Sequence, residues 1–259
     1  MNFSLDILNS NKDQLLCIVI FFAFWSTLSF LVHRFTFQHN QMSEEKKIQT
    51  RILIVPMIHG LSTTLIGFFL NPFSDFKYKI SYFSEENLPE YNLYCFFSAS
   101  YFIGDMFDGS KYGFLNKQLF IHHMASCSSL LFPLFSDYGA AISVVALTFG
   151  ETTNFSLNLK TMLENMGMKD TMLYEVNKLT FYLAFIVIRV PVAFYYLVIP
   201  MVSAPNCPLI HKVTGSFLLL QSYVVSFEMM RVLKRKLWRK MNWSKDSEYK
   251  GTSWVQNFI

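Results

Sequence analysis

The chain has 259 residues, of which 52% are hydrophobic and 17% aromatic, and its formal net charge is +4. This composition is too apolar for a soluble domain of that length, and it predicts a membrane protein. The small positive charge does not indicate a nucleic-acid partner, because the basic residues lie between apolar runs and in the C-terminal tail.

Seven apolar runs approach the roughly 20 residues that a helix needs to cross about 30 Å of hydrocarbon. They are continuous, whereas a transmembrane strand would alternate at every second residue, so helices are predicted. The fold class is therefore all-α, a polytopic membrane protein with seven transmembrane helices in one domain. In chain order the predicted spans are 15–32, 52–70, 91–107, 119–135, 139–158, 179–199 and 213–233.

The distribution of Lys and Arg predicts the orientation of the spans. Seventeen of the 22 basic residues follow spans one, three, five and seven, and four lie on the opposite side. The N-terminus is therefore expected to be lumenal or outside, and the basic tail cytosolic. Segment 76–82 (FKYKISY), Trp238 and Trp243 fit positions in the membrane interface, and Pro191 predicts a kink in span six.

Polar and ionisable residues inside the spans predict a site, because an ionisable group in hydrocarbon costs several kcal/mol unless it faces a partner or water. At about 1.5 Å per residue, most of them lie at a similar depth from the cytosolic flank. We therefore expect one shared polar chamber that opens to the cytosol. Arg189 could be a counter-ion there for Glu151 or Asp105. The set comprises His59, Asp105, His122, His123, Glu151, Asn154, Asn158, Arg189 and Glu228.

The adjacent histidines His122 and His123 carry the predicted chemistry. Neighbouring helical residues point about 100° apart, so one should face the chamber while the other packs against another helix. This geometry argues against a metal site, and the six scattered histidines are too few for a di-iron hydroxylase or desaturase. A neutral imidazole beside Asp105 or Glu151 could instead act as a general base or acyl acceptor.

Four stretches together resemble a known family: SYFIGDMFD, LFIHHMASCSSLL, TFGETTNFSLNLKTML and FIVIRVPVAFYYL. In their order and spacing they resemble the TLC domain, named for translocating-chain-associating proteins, longevity-assurance ceramide synthases and a neuronal ceroid lipofuscinosis protein. The predicted division is an N-terminal anchor helix and cytosolic loop (1–50), a TLC domain (51–240) and a polar basic tail (241–259).

The resemblance implies lipid handling. Ceramide synthases of this family transfer an acyl group from acyl-CoA to the amine of a sphingoid base, and their histidine pair matches His122 and His123. Their following acidic motif is replaced here by Gly150-Glu151-Thr152-Thr153-Asn154, which is closer to the small non-ceramide-synthase branch. In that pattern Glu151, Asn154 and Asn158 lie at i, i+3 and i+7 and would share one helix face.

Two functions are open at this point. The first is an acyl-CoA-dependent acyltransferase, with His122, His123, Asp105 and Glu151 as catalytic residues. The second is a non-catalytic protein that binds lipid, helps cargo trafficking or serves in a membrane complex or homo-oligomer. Acyl-CoA would be a substrate, and no cofactor or metal is expected. The remaining candidates would contact lipid: His59, Asn154, Asn158, Arg189 and Glu228.

Other membrane-protein classes fit less well. A seven-helix receptor would show an acid-Arg-aromatic triplet after span three, where this chain has GDMFDGSK. A transporter would show internal repeats, and none is found. The four cysteines have neither metal nor redox spacing. Endoplasmic reticulum is the location that the resemblance implies.

Overall fold

The computed structural model describes residues 11–37, 42–70, 86–204 and 207–241. Within these ranges the fold is all-α, as predicted, with no strand and a single isolated bridge between Glu86 and Tyr138. The α-helices are α1 (Asn11–Phe35), α2 (Glu44–Leu70), α3 (Pro89–Lys111), α4 (Lys117–Leu131), α5 (Ala140–Glu151), α6 (Asn154–Asn165), α7 (Met172–Val187), α8 (Ile199–Ser203) and α9 (Leu209–Met241).

Four helical stretches are long and apolar enough to cross a membrane: Lys12–Phe35, Glu44–Leu70, Met172–Ser203 and Leu209–Arg235. They correspond to predicted spans one, two, six and seven. The other three spans coincide with α3, with α4 and the 3-10 turn after it, and with α5 and the start of α6. The count of seven spans and the orientation therefore stay predictions.

Helices α3 and α5 form much of the protein interior. Cys95, Phe96 and Ala99 of α3 and Ala140 and Val144 of α5 have no exposed surface. Small residues let these helices approach closely, which is how membrane helices associate without a hydrophobic driving force between them. Helices surrounded by protein can be shorter and more polar than helices that face lipid.

The predicted fifth span, 139–158, is wrong as a continuous helix. The chain turns at Thr152 and Thr153, where α5 ends and α6 begins. The Thr152 hydroxyl donates to the Thr148 carbonyl at 2.6 Å, a back-bond that weakens and bends helices. The break leaves the last carbonyls of α5 without helical partners and creates a helix end inside the bundle.

The connection before α5 is held by one side chain. Asn87 Oδ1 accepts from the Ala140 N–H at 2.7 Å, and its Nδ2 donates to the Ser136 carbonyl at 2.8 Å. Gly139, at φ +105°, supplies the left-handed backbone that the turn needs. These contacts form the tight connection between predicted spans four and five.

The helix that begins as α7 changes winding in its second half. Ile188–Val192 and Phe194–Val198 are π-helical, and the first of these contains Arg189 and Pro191. Proline lacks an N–H and crowds the preceding turn, so a local widening relieves it. The distortion predicted at Pro191 is therefore present. Segment 76–82 and Trp243, predicted at the interface, lie outside the described residues, as does the side chain of Trp238.

Candidate functional site

His59 and Glu151 form a fully buried pair between α2 and α5. His59 Nδ1 lies 3.4 Å from Glu151 Oε2, and their side chains are 0% and 6% exposed. Asn154 Nδ2 donates to the same oxygen at 2.9 Å. The His59 ring stacks on Tyr101 with centroids 3.7 Å apart. Neither ring nitrogen of His59 has a well-aligned hydrogen bond within the described residues, so the carboxylate contact is electrostatic.

His123 and Asp105 form a second pair, between α4 and α3. His123 Nδ1 lies 3.5 Å from Asp105 Oδ2, and the Phe102 ring packs beside the imidazole at 5.1 Å. His123 is 5% exposed and faces the helix interface. The sequence predicts that one of the two adjacent histidines packs against another helix, and His123 is that residue.

His122 faces a different environment. Its Nδ1 lies 3.1 Å from Gln221 Oε1 of α9. Because an amide oxygen only accepts, this contact requires the tautomer in which Nδ1 carries the proton, and in that tautomer Nε2 is the acceptor nitrogen. His122 lines a cavity of about 90 Å³ together with Glu151 and Arg189, which we call the central cavity. Its other walls are mainly apolar side chains of α4, α5 and α9.

Arg189 lies at the break between α5 and α6. Its Nη2 donates to the Gly150 carbonyl and, at 3.2 Å, to Thr153 Oγ1, while Nη1 lies 3.4 Å from Ser222 Oγ. A cation at a helix C-terminus pairs with carbonyls that have lost their helical partners. Within the described residues no ion pair closer than 4 Å joins Arg189 to Glu151 or Asp105, but Arg189 and Glu151 line the same cavity, and the counter-ion role stays a prediction. The Arg189 Nε is buried without a hydrogen-bond partner in that same part of the chain.

A row of hydroxyls continues the polar side of the central cavity. Ser126 and Ser129 follow His122 at i+4 and i+7 along α4, so they share its face. Ser129 Oγ makes a 2.6 Å hydrogen bond to Nδ1 of His211, a residue with 1% exposure in the first turn of α9. The central cavity is thus lined by polar groups from several helices among mainly apolar side chains, a lining that suits a molecule with one polar end.

The remaining predicted residues are spread more widely than one chamber allows. Asp105 opens on a separate cavity between α1, α2 and α3, so the single chamber is wrong: His122, Glu151 and Arg189 share one cavity and Asp105 lines another. Asn158 and Glu228 line neither of these two cavities. Glu228 pairs with Arg231 at 2.9 Å on the surface of α9.

Two functional candidates are absent from the sequence-based set. Gln221 and Ser222 contact His122 and Arg189, yet they carry no charge and so attract no attention in an inspection of ionisable groups. A signal was available, because the amide of Gln221 interrupts the apolar stretch FLLLQSYVV of the last span. Within the described residues, no group of three or more metal-ligating side chains could hold a metal ion.

Comparison with known proteins gives one result. A family model described as the TLC domain matches residues 49–241, which is well over half of the chain. The match begins in the second turn of α2 and includes α3 to α9, and α1 precedes it. No curated protein and no solved structure matches the chain.

Proposed function

The chain belongs to the TLC-domain family, and on that basis we propose that it is a membrane enzyme of lipid metabolism that transfers an acyl group in the central cavity. An integral membrane protein linked to lipid metabolism is what the family and the four apolar helices support. The acyl transfer, its substrates and the residues below are our proposal.

The orientation of His122 carries the proposal. With Nδ1 bound to Gln221 Oε1, the Nε2 nitrogen is free to take a proton. An imidazole fixed by a neighbouring hydrogen bond is the common arrangement of a general base. Arg189 lines the same cavity and has a buried N–H that no described residue accepts. A base and a cationic donor on one small cavity are the two groups that acyl transfer requires.

The proposed step joins an acyl thioester, such as acyl-CoA, to an acceptor amine or hydroxyl. His122 Nε2 removes the acceptor proton as the acceptor atom attacks the acyl carbonyl. The carbonyl oxygen becomes negative, and Arg189 Nε–H stabilises it, as preorganised donors do in acyl transfer. The carbon–sulfur bond then breaks, and the thiolate leaves with the proton that His122 held.

The other predicted catalytic residues have a positioning role in this account. Glu151 is bound to Asn154 and lies against His59, and Asp105 lies against His123, so the carboxylates are engaged elsewhere and Gln221 is the hydrogen-bond partner of His122 Nδ1. Buried pairs of this type are retained where breaking them would leave a polar group alone. We therefore assign His59, Asp105, His123 and Glu151 to holding α2, α3, α4 and α5 around the central cavity.

The test is acyl-CoA turnover by the purified full-length protein in detergent or vesicles. His122→Ala should lower turnover by about 10²–10⁴-fold, the usual contribution of a general base. Gln221→Leu should lower it less and without loss of thermal stability. A wild-type protein that neither hydrolyses nor transfers acyl groups from acyl-CoA would exclude this function.

A second function is favoured by one observation. The carboxylate of the central cavity is already engaged by His59 and Asn154, so His122 is oriented by an amide only. A protein that binds a lipid in the central cavity without reacting with it would not need a carboxylate next to His122. Wild-type protein that retains a lipid, loses it on Arg189→Met and shows no acyl-CoA turnover would establish this alternative.

We also propose a location in the endoplasmic reticulum, with the basic ends of the helices in the cytosol. The distribution of Lys and Arg between the spans supports this orientation. In this arrangement acyl-CoA would reach the central cavity from the cytosolic side. Membrane-protein partners or a homo-oligomer are compatible with it.

A further inference from the structure

A second cavity, of about 170 Å³, lies where the C-terminal ends of α1 and α3 meet the N-terminal half of α2. We call it the end cavity. Consecutive helices run in opposite directions, so these three ends lie at the same end of the bundle. The family match begins at residue 49, so the wall that α1 contributes is not part of it. The charged or titratable residues that line the end cavity are His33, Arg51, Asp105, Asp108 and Lys111.

The basic side chains Arg51 and Lys111 of the end cavity are positioned by contacts that leave hydrogen-bond donors available. Arg51 Nε donates to the Thr36 carbonyl at 3.0 Å, which leaves both Nη groups without a hydrogen-bond partner among the described residues. Lys111 Nζ lies 5.1 Å from the centre of the Tyr112 ring, and the His33 ring stacks against the same ring at 4.5 Å. Arg51 and Lys111 therefore both bring a permanent positive charge to the lining of the end cavity.

Its anions lie on the α3 wall. Asp108 Oδ2 accepts from the Ser29 hydroxyl at 2.5 Å, and this bond ties α3 to α1. Asp105 lies one turn earlier, with 16% of its side chain exposed. Trp25 and Tyr101 line the same cavity, with ring centres 5.4 Å apart. Carboxylates next to aromatic faces form a site that suits an organic cation.

The end cavity also has apolar lining residues on α1 and α3. Phe22 and Phe107 line the cavity with their ring centres 6.1 Å apart. Phe30 and Phe107 are each 65% exposed on the outer surface of the bundle. A ligand with its polar end in the end cavity could lay a hydrocarbon chain along these rings.

We propose that the end cavity binds the headgroup of a zwitterionic phospholipid, whose phosphate contacts Arg51 and Lys111 and whose ammonium contacts Asp108. Both signs of charge are needed for this ligand. Arg51 and Lys111 supply the positive side chains of the lining, and Asp108, with Asp105 one turn earlier, supplies the acidic ones. A lining that holds both signs of charge favours a zwitterionic headgroup over an anionic headgroup, because the anionic headgroup would leave Asp108 facing a negative ligand.

The experiment uses the delipidated full-length protein in detergent and native mass spectrometry. Phosphatidylcholine and phosphatidylglycerol with identical acyl chains are titrated in parallel, and inorganic phosphate is added as a competitor. The variants are Arg51→Gln with Lys111→Gln, and Asp108→Asn. The matched control is Lys117→Gln, an exposed lysine at the start of α4 that does not line the end cavity.

The wild-type protein should bind one phosphatidylcholine in preference to phosphatidylglycerol. The double variant should bind it about tenfold more weakly or worse, which is the effect of losing a charge-assisted hydrogen bond to phosphate, and the control should match wild type. Asp108→Asn should shift the preference towards phosphatidylglycerol, a gain that misfolding would not produce. Equal binding of both lipids by wild type, or undiminished phosphatidylcholine binding by the double variant, would overturn the proposal. Displacement of the lipid by inorganic phosphate would overturn it in favour of a free anion.

Discussion

Removing one member of the buried His59–Glu151 pair should destabilise the protein more than removing both. His59→Phe keeps an aromatic ring against Tyr101 but leaves the Glu151 carboxylate, 6% exposed, with Asn154 as its hydrogen-bond partner among the described residues. Breaking a buried pair from one side costs about 3–5 kcal/mol. Because His59 Nδ1 and Glu151 Oε2 are 3.4 Å apart and have no aligned hydrogen bond, we expect a cost at the lower end of this range, about 3 kcal/mol. Glu151→Gln added to His59→Phe removes the unpaired charge and should recover part of that loss.

The assay is thermal unfolding of the purified protein in detergent for wild type, both single variants and the double variant. For a chain of this size, about 3 kcal/mol corresponds to a fall in Tm of about 6–12 °C. The double variant should lie above His59→Phe, with a coupling free energy of about 1.5–3 kcal/mol. Glu175→Gln is the matched control, because Glu175 is 62% exposed in its pair with Lys178 and should matter little. Additivity of the two single variants within about 0.5 kcal/mol would refute the pairing.

Three further predictions concern packing, pH and the break after α5. Gly67→Ala would place a Cβ 1.9 Å from Thr148 Oγ1, so it should cost about 1–3 kcal/mol, and Thr148→Ala in the same chain should restore part of that in thermal unfolding. Burial raises the pKa of Glu164, but hydrogen bonds from Tyr174 and Lys160 outweigh the effect of burial and keep this pKa below its ordinary value of 4.5. A carboxyl whose pKa is lower in the folded state stabilises the protein at pH values above its unfolded-state pKa, and this contribution is lost on acidification. Glu164→Gln removes the contribution, so the fall of Tm below about pH 4.5 should be less steep in this variant. Arg189→Met leaves the last carbonyls of α5 unpaired and should cost about 2–3 kcal/mol together with loss of any retained lipid.

Each of these has an outcome that contradicts it. A Gly67→Ala protein as stable as wild type would mean that α2 and α5 lie further apart than the structure has them. An unchanged pH profile in Glu164→Gln would show that its hydrogen bonds contribute nothing to stability. An Arg189→Met protein that keeps both its stability and its lipid would remove Arg189 from the central cavity.

The features that the sequence predicts correctly follow from local chemistry. Long apolar runs can satisfy their backbone in lipid only as helices, so the all-α class needs no tertiary information. The divergence of His122 and His123 follows from the 100° step of a helix, and it is confirmed by their contacts with Gln221 and Asp105. The distortion at Pro191 likewise follows from a missing N–H.

The features that the sequence does not predict depend on how each helix is rotated about its axis. Depth along a helix can be counted from the sequence, but the direction of a side chain depends on its neighbours. Equal depth therefore predicts one chamber even where the side chains point to different sides. In the structure Asp105 lines the end cavity and contacts His123 of α4, whereas Glu151 and Arg189 line the central cavity and Glu151 contacts His59 of α2. The break at Thr152 was missed because threonine back-bonding is weak and depends on context.

Binding of the acyl chain in the central cavity is tested most directly by photo-crosslinking of the full-length protein with an acyl-CoA that carries a diazirine in its acyl chain. The adducts are then located by peptide mapping. We expect adducts on the walls of the central cavity, in Ser126–Leu130 of α4 and Gly215–Ser222 of α9. Unlabelled acyl-CoA should prevent these adducts, and Arg189→Met should decrease them. Adducts confined to lipid-facing residues such as Leu179 and Leu183, with none on those walls, would contradict it.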